Sequence, residues 1–105
     1  MAKKLTSLFI NSRWLSMESI TCDIACFGVI KDWIESKQAF VNGATSAHIF
    51  KTSADNKTML CIFFSDNEGN VLLGDAYPMK RILCQRCDSD IEVLLNGLTI
   101  GTINL

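Results

Sequence analysis

Histidine and proline each occur once in this sequence, and its ten Lys and Arg residues do not outnumber its eleven Asp and Glu. Each shortage excludes something. With a single histidine, serine-type and metal-hydrolase chemistries lose their usual relays and ligands. A formal charge of −1 is not the basic excess that neutralises phosphates, which argues against nucleic acid as a partner. Neither GxxxxGK[ST] nor GxGxxG occurs, so nothing reads as a phosphate cradle. The longest uninterrupted apolar run, Met59 to Phe64, is far short of the ~20 residues of a membrane helix. Near the start, Thr6, Ser7 and Asn11 break the run of Leu5, Leu8, Phe9 and Ile10, so no secretory core is visible. The expectation is a cytoplasmic protein with no membrane partner.

Ample apolar material remains. Hydrophobic residues make up 49% of the 105, enough for one packed core, so residues 1–105 read as a single domain. The five cysteines are Cys22, Cys26, Cys61, Cys84 and Cys87. An odd count in apolar stretches, with no secretion signal, suits reduced core filler better than a disulfide framework.

The first half carries a helical period. Met17, Ile20, Ile24, Phe27, Ile30 and Ile34 recur at steps of three or four, and Ser16 is a candidate N-cap. A rival period runs through the same residues: Ile20, Cys22, Ile24 and Cys26 alternate with polar or small neighbours, as in a strand ending at Gly28. The longer stripe favours a helix that stops near Asn42-Gly43. Residues 5–15 fit a strand or a short helix equally, and so does the stretch from Pro78 to Cys87.

The second half reads as hairpins. Residues 47–52 and 58–65 flank the turn-rich segment 53–57, and Asp66-Asn67-Glu68-Gly69 leads on to a strand over 70–75. Asn96-Gly97 suits a type I′ turn pairing Leu95 with Leu98 and Val93 with Ile100. The fold expected is α+β: an N-terminal helix, or two, packed on a four- to five-stranded antiparallel sheet of hairpins.

The middle hairpin is apolar on both faces. Phe64 would face Val71, and Phe63 would face Leu72 with Cys61 and Met59 beside it. One helix covers one face of a small sheet, which leaves the other needing a cover. A homo-oligomer joined through Met59, Cys61, Phe63 and Leu72 is the cheapest explanation, and an N-terminal segment folding across that face is the alternative.

Chemistry-bearing residues are sparse. Cys84-Gln85-Arg86-Cys87 is a CxxC, the spacing that lets two thiolates face one metal, but only Cys22 and Cys26 could complete a site. Asp66-Glu68 and Asp88-Asp90 sit in turns, where carboxylates serve local hydrogen bonds. Lys80, Arg81 and Arg86 form the one basic cluster, and Arg13-Trp14 and Lys31-Trp33 add aromatic neighbours to bases. Trp33, His48 and Phe50 could line a cavity between helix and sheet.

Three functions follow. The first is a non-catalytic binding or interaction protein of the adaptor, inhibitor or accessory type, self-associating through a sheet face. The second is a small-molecule-binding domain, or a small enzyme, with a pocket between helix and sheet near Trp33, His48 and Phe50. The third is a cysteine-based metal or redox protein using Cys84 and Cys87. No cofactor is implied by the first two.

Overall fold

A computed structural model describes residues 17–73 and 77–105. The expectations for residues 5–15, for Ser16 as a cap, for Arg13-Trp14 and for a strand reaching Asp75 lie wholly or partly outside the described residues. In chain order the elements are β1 (Met17–Ala25), α1 (Phe27–Gln38), β2 (Ala44–Ala54), β3 (Lys57–Asp66), β4 (Val71–Leu72), β5 (Met79–Cys87), α2 (Ser89–Leu95) and β6 (Ile100–Asn104). The α+β class is as expected. The strands form one mixed sheet ordered β1-β5-β3-β2-β6, with the short β4 also pairing with β3.

The expected helix starting at Met17 is a strand. Ile20, Thr21 and Ile24 are β-branched and suit a pleated surface, and β1 lies parallel to β5 with Cys22 opposite Cys84. The sheet is therefore not purely antiparallel. The chain turns at Cys26, and α1 then buries Ile30, Trp33 and Ile34. The long helical stripe was two elements end to end: its first half obeys a strand period equally well. Pro78 precedes β5, whose alternating burial makes Pro78–Cys87 a strand rather than a helix.

The second correction concerns Asn96-Gly97. Both have positive φ, 50° and 78°, as the turn reading requires. They end a helix instead. Asp88 caps α2, its Oδ1 accepting from the Ile91 amide at 2.9 Å, and Asn96 closes it in the left-handed conformation. Ile91 and Leu95, four residues apart, enter the core together. The two-residue turn with both residues left-handed is found at Asp55 (φ 53°) and Asn56 (φ 62°), joining β2 to β3.

The same carboxylate reaches a second helix. Cys26 offers α1 no side-chain cap, and Asp88 Oδ2 accepts from the Phe27 amide at 2.8 Å. The Asp88 amide donates to Ala25 O at 2.9 Å. One residue thus ties the β1–α1 turn to the β5–α2 turn.

Both helices lie on one face of the sheet. There Ile30, Trp33 and Ile34 of α1 and Ile91 and Leu95 of α2 pack on Ala47, Ile49, Leu60, Ile62, Phe64, Ile82 and Cys84. Trp33 stacks on Phe64, with ring centroids 5.9 Å apart. Its Nε1 donates to Glu18 Oε2 at 2.8 Å, and Lys37 Nζ lies 3.1 Å from the same oxygen. The second face holds its own cluster, Met59, Cys61, Phe63 and Met79, flanked by Met17, Phe50, Ala54, Val71, Leu73 and Leu83.

Candidate interaction surface

His48 sits on β2 and points to the second face. Its Nδ1 lies 2.9 Å from Thr102 Oγ1 on β6, and its Nε2 lies 2.7 Å from Ser65 Oγ on β3. Its ring centroid is 5.3 Å from that of Phe63. Burial pushes the imidazole pKa below its ordinary value, so the neutral ring is the favoured form. A neutral ring has one donor and one acceptor nitrogen, and the two hydroxyls satisfy both. No carboxylate is hydrogen-bonded to either nitrogen among the described residues, so the ring has no partner of the kind that orients a catalytic base.

The three residues expected to line one cavity are split by the sheet. Trp33 belongs to the helix-side core, whereas His48 and Phe50 lie on the second face. Strand alternation does this: Ala47 and Ile49 point to the helices, so their neighbours His48 and Phe50 cannot.

The expected interface set is split as well. Met59, Cys61 and Phe63 do come together, but Leu72 packs with the helix-side core. Val71 pairs with Ser65 and Leu72 with Phe64, one residue from the expected register, and a shift of one moves every side chain across the sheet. The turn sets that register. Asp66 Oδ1 accepts from the Glu68 and Asn70 amides at 2.9 Å each, and the Asp66 amide donates to Asn70 O at 3.0 Å. Asp66 and Asn70 therefore close the loop, and the Asn70 amide, first among several hydrogen bonds, holds the Asp66 carboxyl below its usual range.

Cys84 and Cys87 of the CxxC lie towards the carboxyl end of β5, beside β1. Cys22 opposes Cys84, Ala25 opposes Cys87, and Cys84 and Cys87 share a side-chain hydrogen bond. Burial pushes Cys22 and Cys84 upward and takes Cys87 to about 11. Cys61, on the other face, is pushed by burial to about 12. Thiols held protonated are poor nucleophiles and poor metal ligands. Among the described residues no three His, Cys, Asp or Glu side chains group as a metal site.

The basic cluster is dispersed too. Lys80 opposes Glu18 on the helix side and is buried; against the opposing effect of burial, hydrogen bonds from Trp33 and Lys37 hold the Glu18 carboxyl below its usual range, and the Lys80 charge adds the smallest share. Arg81 points to the other face, where its Nε donates to Ser19 Oγ at 3.3 Å.

The feature missing from the sequence reading is an edge. Among the described residues β1 pairs with β5 alone, leaving its other side open over nine residues. Ile20 and Ile24 stand on it 37% and 39% exposed. The alternation of Ile20, Cys22 and Ile24 was the available signal. Compared with protein-family models, curated proteins and solved structures, the chain matches none. No described helix is long and apolar enough to cross a membrane.

Proposed function

We propose that this chain is a small interaction module that self-associates through its sheet, with the open edge of β1 as the joining element. The observation that carries this reading is the exposure of Ile20 and Ile24 on a nine-residue strand that, among the described residues, is paired on one side only. An unpaired strand presents a row of amides and carbonyls to any chain able to add a strand to it. Met59, Cys61 and Phe63 expose no more than 7% of their surface in the single chain, so the face offers a second copy far less than the edge does.

β1 is complementary to itself. A two-fold axis normal to the sheet through Cys22 would place two β1 strands antiparallel with matching faces. Ile20 then opposes the partner's Ile24, Cys22 opposes the partner's Cys22, and Thr21 opposes the partner's Asp23. No two acids meet, and the apolar pairs fall on the face that carries the helices. Shifting the axis to Thr21 would set Glu18 against an isoleucine, which makes the Cys22 register the better one.

Diamide oxidation of a Cys26→Ser chain tests this register, since it removes the exposed neighbouring thiol. The expected product is a disulfide-linked dimer whose tryptic map joins Cys22 to Cys22. A product that remains monomeric, or one joined through Cys84 or Cys87, would overturn the register. A second reading, ligand binding between helices and sheet, has no comparable support, because Trp33 lies across the sheet from His48 and Phe50.

A further inference from the structure

Lys80 is the one buried charged side chain among the described residues, 7% exposed, and it forms no hydrogen bond or ion pair among them. A lysine is almost never buried without a partner. Strand register accounts for the burial. Lys80 lies between Glu18 of β1 and Ile62 of β3, on the side to which Ile82 and Cys84 also point. Its four-carbon stem covers apolar surface there. No buried side-chain nitrogen or oxygen among the described residues lacks a hydrogen-bond partner, so the Lys80 ammonium, which has none, must reach water.

Its cross-strand neighbour is already engaged. Trp33 Nε1 at 2.8 Å and Lys37 Nζ at 3.1 Å both donate to the same Glu18 oxygen, Oε2. Lys37, Lys80 and Glu18 together carry one positive charge in excess. We propose that Lys80 and Lys37 form a binding site for a small carboxylate, seated where α1 meets the amino ends of β1 and β5. A two-oxygen anion can accept from the Lys80 ammonium and from an N–H of Lys37 that Glu18 leaves unused. One negative charge balances the excess, whereas a second would be repelled by Glu18. The Lys37 and Glu18 side chains are 35% and 43% exposed, so the site opens to water. It uses side chains on the helix side and not the backbone edge of β1, so it holds whether or not the chain self-associates.

Titration of the wild-type chain with sodium acetate tests the site. The Trp33 indole Nε1–H and the Lys80 backbone amide are followed in proton–nitrogen correlation spectra, with sodium chloride at matched ionic strength as the blank. Both signals should shift saturably with acetate and not with chloride. Sodium sulfate, which carries two charges, should bind at least about tenfold more weakly. Lys80→Met keeps an apolar stem and removes the charge, so the saturable shift should vanish, while Lys80→Arg should retain it. Acetate shifts that never saturate, that chloride reproduces, or that survive Lys80→Met would overturn the proposal. Sulfate binding as tightly as acetate would overturn the single-charge assignment. If Lys80→Met fails to fold, the half-exposed Lys37→Gln takes its place, with acetate binding expected to weaken about tenfold. Unchanged binding in that variant would likewise overturn the proposal.

Discussion

At the residue scale, Asp88 does the work of two caps, serving α2 from its own N-terminus and α1 from 61 residues away. Replacing it with alanine leaves two helix-start amides without their acceptor. A loss of about 2–3 kcal/mol is expected, roughly one cap plus one charge-assisted hydrogen bond, read from the urea midpoint at constant m-value. His48 adds a pH dependence. Its folded pKa lies below the ordinary 6.5, so the unfolded chain binds the proton more readily. Its contribution is complete above pH 6.5 and is lost as the pH falls from there through the folded pKa. Unfolding free energies measured between pH 7.5 and 5 should therefore decline towards acid, and His48→Gln should flatten that decline. A wild-type curve that rises towards acid would contradict the neutral ring.

At the element scale, α2 and β6 meet at Gly101. A Cβ placed there would lie 3.0 Å from Leu94 Cγ and 3.3 Å from the Leu94 carbonyl oxygen, part of it fixed backbone. Gly101→Ala should cost about 1–3 kcal/mol by overpacking, measured by thermal unfolding, and Gly101→Val more. The same elements show what could be read from the sequence alone. The β2–β3 hairpin was legible because Asp55 and Asn56 tolerate left-handed backbone and the flanking apolar residues are strongly patterned. Asn96-Gly97 misled because positive φ serves a helix end as well as a hairpin turn, and the Asp88 cap that distinguishes them is an interaction visible only once Ile91 has turned back. Met17–Ile34 misled because a strand followed by a helix can place apolar residues three or four apart throughout. For the candidate site, Met59, Cys61 and Phe63 were recognisable as one face from alternation. Leu72 and Trp33 were not, since their side of the sheet depends on loop geometry and on long-range packing.

At the scale of the whole molecule, two helices cover one face of a mixed sheet, a second apolar cluster occupies the other, and β1 closes one flank with an unpaired side among the described residues. Such an edge is usually blunted by charge, proline or a bulge. Here Glu18 is drawn inward to Trp33 and Lys37, and Asp23 is the remaining charge on β1. The edge is therefore the place where assembly should be most easily broken. Sedimentation velocity over a hundredfold concentration range, comparing the wild-type chain with Ile20→Lys/Ile24→Lys, tests this most directly. Both side chains are more than a third exposed, so the variant should keep its circular dichroism spectrum. The account predicts a wild-type dimer and a folded monomeric variant. A wild-type chain that stays monomeric at every concentration, or a variant that dimerises as before, would contradict it.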